Sequence, residues 1–85
     1  MFFVYVLISE SKGRRFYVGL TINVEKRVAE HNAKGTKSTK GYIPWKLFFF
    51  ESFNTRKEAR EREKYYKSGS GKELIKEKWF RSSTG

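Results

Sequence analysis

The sequence predicts an α/β fold of the α+β type: a small three-stranded sheet with a β-hairpin and helices packed on it. Three observations predict it. Three runs rich in β-branched and aromatic residues, "FFVYVLIS" (2–9), "RFYVGLT" (15–21) and "WKLFFFESF" (45–53), read as strands. Three other stretches carry helix caps and helical periodicity. The 85 residues hold no internal repeat, low-complexity segment or linker, so 1–85 is expected to be a single domain with the order ββαβαα.

The first strand is apolar on successive residues and is expected to be buried on both faces. "ESKGR" (10–14) is a turn in which Gly13 can take positive φ, and 15–21 returns to complete a hairpin. Gly19 interrupts that strand, a position that often marks a bulge or a close backbone approach. Asn23 then caps a helix over 24–33, with Glu25 in its first turn. The polar stretch "AKGTKSTKGYIP" (33–44), with Lys34, Lys37 and Lys40, is a loop closed by Pro44. The third strand, 45–53, is apolar on both faces and is therefore expected to be central. Thr55 and Glu58 form a capping box that opens a helix to about Lys67, and Gly69 is expected to end it as a C-cap. "SGKE" (70–73) repeats the capping pattern and starts a last helix, whose apolar stripe is Leu74, Ile75 and Trp79.

Composition narrows the function. A chain this short buries roughly 60–65 % of its unfolded surface, so the core is thin and is supplied mainly by aromatics. Eight Phe, five Tyr and two Trp provide it, and no room is left for a second domain to hold a cofactor or a large substrate. The absence of cysteine excludes a disulfide scaffold and any thiolate metal site, and fits a reducing compartment. The apolar N-terminal run is too short to span a bilayer and lacks signal-peptide features, so the protein is read as cytosolic, with no membrane partner. Nineteen Lys and Arg against nine acids give a net charge of +10, which favours a polyanionic partner, nucleic acid before an anionic membrane.

Three clusters can carry chemistry, and each has an ordinary structural reading beside it. Tyr5 and Tyr17 have equal parity about a turn centred near residues 11 to 12, so both phenols project from one face; strand tyrosines are also plain packing. At about 100° per residue, Arg27 and His31 lie beside Val24 and Val28, the only apolar stripe of their helix. A histidine there is often a satisfied structural residue, and an arginine often snorkels over the stripe. Ala59, Glu63 and Tyr66 share one helix face, which places a carboxylate on the inward stripe. Such a carboxylate must meet a cation, a metal or several donors, and a salt bridge is its commoner fate.

Together these residues match what phosphodiester hydrolysis needs. One carboxylate plus waters can hold Mg²⁺ or Mn²⁺, a role open to Glu63. A guanidinium can stabilise phosphoryl oxygens, a role open to Arg27. A phenol or imidazole can take the proton of the attacking water, a role open to Tyr5, Tyr17 or His31. The chain has one His and no P-loop pattern, so no Ser/His/Asp set or multi-histidine metal motif competes.

The order and spacing of these residues resemble the GIY-YIG nucleases, especially the small stand-alone bacterial members. "FVY" (Phe3-Val4-Tyr5) and "YVG" (Tyr17-Val18-Gly19) stand for the two name elements. They are followed by Thr21, Asn23, Arg27, His31 and Asn32 in a T-x-N-x-x-x-R-x-x-x-H-N run, by Pro44-Trp45, and by the helix carrying Glu63. The resemblance extends from Phe3 to about Ile75. It implies a sheet flanked by helices, Glu63 as metal ligand, Arg27 as the phosphate-stabilising residue, Tyr5 and Tyr17 as site phenols, and His31 as a further member and base candidate. It implies that Asn32 supports the site and that Lys37, Thr39, Lys40 and the loop before Trp45 lie near nucleic acid. Phe3 replaces the glycine of the name motif. Leu20 stands where some branches carry a lysine that activates the tyrosine, which leaves the base open among Tyr17, Tyr5 and His31. No appended DNA-binding domain is present, so selectivity is expected for DNA structure, branched or damaged DNA included, over sequence. The expected activity is that of a Mg²⁺- or Mn²⁺-dependent DNA endonuclease without a small-molecule cofactor. The alternatives are a nucleic-acid-binding module with little or no turnover, and a structural RNA-associated protein.

Overall fold

The computed structural model describes residues 1–9, 15–33 and 40–84. Three strands, β1 (Phe2–Ser9), β2 (Arg15–Thr21) and β3 (Trp45–Phe53), form one sheet, and three helices, α1 (Val24–Ala33), α2 (Arg56–Lys67) and α3 (Gly69–Thr84), pack on it. A short 3-10 turn at Lys40–Tyr42 precedes β3. The ββαβαα order is as the sequence predicts. The turn at 10–14 and most of the loop before β3 lie outside the described residues.

The strand order is β2-β1-β3, all antiparallel, so β1 is central and β3 is an edge strand. This corrects the expectation that β3 is central. The reason is a bulge. Val6 pairs with Phe49 but Leu7 pairs with Leu47, which leaves Phe48 without a partner. An extra residue turns two consecutive side chains toward one face. Phe48 and Phe49 accordingly both pack against the core beneath α2 and α3, and Phe50, on the other face, is half exposed. The run "LFFF" reflects that bulge and not two covered faces. β1 is the strand that is covered on both: Val4 through Leu7 have no exposed surface.

Strand alternation sorts the core into two layers. Val4, Val6 and Val18 meet Ala59, Tyr66 and Ile75 of α2 and α3. Tyr5 and Leu7 meet Trp45, with Tyr17, Val24, Val28 and Leu47 packed around them beneath α1. Asn23 caps α1 as expected, its Oδ1 accepting from the Lys26 amide at 3.1 Å. Thr55 caps α2: its hydroxyl accepts from the Glu58 amide at 3.2 Å and donates to the Glu58 carboxylate at 2.9 Å.

The corner between α2 and α3 departs from the sequence reading. Gly69 is not a C-cap; it is the first residue of α3, and Ser70 is already inside that helix. Ser68 alone separates the helices, in extended backbone. Its amide donates to Tyr65 O at 3.0 Å, its hydroxyl accepts from the Gly71 amide at 3.3 Å, and its carbonyl accepts from the Lys72 amide at 2.9 Å. One residue closes one helix and opens the next, so no left-handed glycine is needed. The glycine that matters is Gly71: a Cβ there would lie 2.5 Å from the Tyr66 Cα and collide with the Tyr65 carbonyl.

Candidate active site

Tyr5 is the centre of the site. As the second residue of the β1 face Phe3, Tyr5, Leu7, it projects under α1, and the neighbouring strand makes room for it. Tyr5 pairs with Gly19 across the β1–β2 ladder. A Cβ at Gly19 would lie 2.5 Å from the Tyr5 Cζ and collide with its hydroxyl, so the phenol lies across a bare stretch of β2 backbone. The glycine reads from sequence as a close approach, and the Tyr5 ring is what approaches. The even pairing register puts Tyr17 on the same face, and the two rings stand 6.2 Å apart.

The α1 stripe brings the basic groups to this phenol. The Tyr5 hydroxyl and His31 Nε2 are 3.2 Å apart, and His31 is almost completely buried. The His31 ring packs on Tyr17 at 4.7 Å between centroids. Burial and the nearby Arg27 cation push the His31 pKa down, which keeps the imidazole neutral. Burial raises the Tyr5 pKa, against the opposing pull of Arg27. The Arg27 guanidinium sits against the Tyr5 hydroxyl and is held still more firmly cationic by it. A guanidinium only donates, so the Tyr5 oxygen faces a cation on one side, and the direction of its contact with His31 Nε2 follows the imidazole tautomer: the phenol donates when Nε2 is the unprotonated nitrogen. Arg27 also makes a 3.5 Å ion pair with Glu30, one turn on, and its side chain remains partly exposed.

Glu63 arrives from the other layer. It lies on the Ala59–Tyr66 face of α2, which packs against β1 and β2. Its negative charge is among the groups that raise the Tyr5 pKa, so the carboxylate acts on the same phenol from outside α1. Its side chain is 19 % exposed and pairs with Lys67 Nζ at 3.0 Å. Tyr5, Tyr17, Arg27 and His31 therefore make one cluster, with Glu63 at its electrostatic margin and a salt bridge as that residue's present partner.

Asn32 and Trp45 play a different part. The Asn32 amide donates to the Trp45 carbonyl at 2.9 Å and accepts from the Trp45 amide at 2.5 Å, tying the end of α1 to the start of β3. Trp45 is 5 % exposed, with its ring against Tyr17 and Tyr42. Both residues anchor the loop, and the Trp45 ring presents almost no face to a base. Lys37 and Thr39 lie outside the described residues, as does the Lys40 side chain. Sequence reasoning missed Tyr42, whose ring lies on Trp45 and whose carbonyl accepts from the buried Ser9 hydroxyl at 2.5 Å. The aromatic beside a glycine and a cis Ile43-Pro44 bond gave no periodic signal.

No group of three or more His, Cys, Asp or Glu that could cage a metal occurs among the described residues. No helix among them is long and apolar enough to cross a membrane.

Residues 1–77 match the family model described as the GIY-YIG catalytic domain. The chain is 48 % identical over 65 residues to a UPF0213 protein of Haloquadratum walsbyi, covering 75 % of this chain and 73 % of that protein. It is 45 % identical over 64 residues to a UPF0213 protein of Clostridium perfringens, covering 74 % and 69 %. It is 42 % identical over 73 residues to a UPF0213 protein of Staphylococcus haemolyticus, covering 85 % and 89 %. No solved structure matches the chain.

Proposed function

The chain belongs to the GIY-YIG family, and we propose that it is a metal-dependent endonuclease that hydrolyses DNA phosphodiester bonds, choosing substrates by DNA structure, branched or damaged DNA included, and not by sequence. The observation that carries this reading is the Tyr5 hydroxyl held between a cationic Arg27 and a neutral His31, with Tyr17 packed on the imidazole.

The donor set fits Mg²⁺ or Mn²⁺. Glu63 is a partly buried carboxylate, no group of three or more His, Cys, Asp or Glu occurs among the described residues, and such ions keep most of their waters and need one or two carboxylates plus phosphate oxygens. A divalent ion held by Glu63 would neutralise charge on the phosphate and the leaving oxygen. Arg27 binds a non-bridging phosphoryl oxygen, a role suited to a guanidinium that stays charged. Neutral His31 is the proton acceptor. In the tautomer that leaves Nε2 unprotonated, the Tyr5 hydroxyl donates to it and passes that proton on as its oxygen takes one from the attacking water. Tyr17, only partly buried, is the phenol that faces solvent and positions that water. Asn32 ties the end of α1 to the start of β3 beside these groups.

The salt bridge on Glu63 is the observation that favours the second reading, a nucleic-acid-binding module without turnover. Supercoiled plasmid with Mn²⁺ separates the two. Nicking by the wild-type chain that disappears in Glu63→Gln, with DNA affinity retained, supports the enzyme. Wild-type chain that never nicks with either metal, on plasmid or on branched DNA, leaves the binding module.

A further inference from the structure

We infer that the start of β2 and the exposed face of α3 form a phosphate track that holds the DNA strand flanking the cleavage point, a surface that rests on the endonuclease reading and extends it. Arg15, Lys72 and Lys76 line one groove together with Phe16. All three cations are exposed, and no acid lines the groove with them. Four cations elsewhere are paired, Arg27 with Glu30, Arg62 with Glu51, Lys67 with Glu63, and Arg81 with Glu77. Arg15, Lys72 and Lys76 form no ion pair among the described residues. Three like charges gathered without counter-ions repel one another, a cost that a polyanion relieves.

The groove is joined to the active site. Arg15 stands two residues before Tyr17 on β2, and strand alternation puts both on one face. The Arg15 guanidinium lies 5.2 Å over the Tyr42 ring, Tyr42 packs on Trp45, and Trp45 packs on Tyr17, so an unbroken row of rings connects the track to the phenols. Two residues of strand cover roughly 6.6–6.8 Å, about two nucleotides of a DNA strand at ~3.4 Å each along the helix axis. Lys72 and Lys76, one turn apart on α3, stand on the opposite layer of the sheet, so the track crosses the edge of β2 from the Arg15 side to the α3 side. Glu73, Glu77 and the exposed Phe80 line the adjoining groove and mark where the basic surface ends. The occupant this geometry selects is a sugar-phosphate backbone read by charge.

The test measures binding apart from cleavage. A labelled DNA duplex is titrated by fluorescence anisotropy in EDTA over a series of salt concentrations, with the wild type, Lys72→Ala/Lys76→Ala, Arg15→Ala, and the exposed control Lys26→Ala/Lys57→Ala. We expect the Lys72/Lys76 pair to weaken low-salt binding by about tenfold and to flatten the slope of log K against log salt by about 1.8, since each lost phosphate contact removes ~0.9. Arg15→Ala should remove about half that slope, and the control should leave it unchanged. An unchanged slope in Lys72→Ala/Lys76→Ala, or an equal loss in the control, overturns the track. Circular dichroism checks that each variant folds, and because these side chains are exposed none is expected to fail. Nicking is scored separately: a wild-type chain that never nicks defeats the endonuclease reading while the binding result still decides the track.

Discussion

Gly19 and His31 are single residues that the site cannot replace. At Gly19 the backbone is ordinary; the Tyr5 phenol lying over it leaves no space for a methyl group. Gly19→Ala must displace that ring or shift β2, an overpacking cost of about 1–3 kcal/mol. The predicted result is a lowered urea midpoint together with lost nicking, whereas Tyr5→Phe should abolish nicking with the ring still in place. His31 makes a pH prediction. Its folded pKa lies below the unfolded value near 6.5, so the unfolded chain takes up the proton first as pH falls. Stability is therefore complete above about pH 6.5 and declines as pH falls below it until the folded histidine also titrates. Urea midpoints of wild type and His31→Gln between pH 8 and 5 check this: the wild-type decline should be steeper, and parallel curves would remove His31 as its cause.

At the scale of elements, what matters is how the ends are joined. The Asn32 side chain bonds both backbone groups of Trp45, as a neighbouring strand would. Asn32→Ala removes both of these part-buried bonds, at about 1–3 kcal/mol each. We expect a fall in thermal stability and faster hydrogen exchange at the Trp45 amide, with α2 and α3 unaffected; uniform protection would show that the clamp is redundant. The Asn23 cap and the Thr55 capping box were legible because a cap is a local pattern, and both stand where it places them, whereas the box expected at 70–73 is not a cap because Ser70 is already inside α3. Ser68 was not, because its two tasks depend on α3 turning back at once over the end of α2, where Gly71 meets the Tyr65 carbonyl. The β3 bulge was hidden for the same reason. Three consecutive phenylalanines look alike in sequence, and only pairing with β1 reveals which of them is the extra residue.

For the whole molecule, β1 is the shared wall between two thin cores. Val4 and Val6 serve the α2–α3 layer, and Tyr5 and Leu7 serve the α1 layer that bears the candidate cluster. Fold and site are accordingly coupled. Leu7→Ala, at a position with no exposed surface, should cost roughly 2–5 kcal/mol, a large part of the ~5–15 kcal/mol available to a domain. Thermal unfolding should show a single cooperative transition at a markedly lower temperature. Two separated transitions would mean that the layers fold independently.

The sequence by itself determined what depends on neighbours along the chain: the strands and helices, the caps of α1 and α2, the common face of Tyr5 and Tyr17, and the Arg27–His31 stripe. It also determined the family, because ordered residues at fixed spacing are a linear property. Only the tertiary structure decided which strand lies at the centre, which ring crosses Gly19, that Arg27 and His31 hold the same hydroxyl, and that Lys67 takes the Glu63 carboxylate. Those outcomes rest on contacts between segments distant in the chain, where volume and desolvation choose among arrangements that periodicity leaves equal.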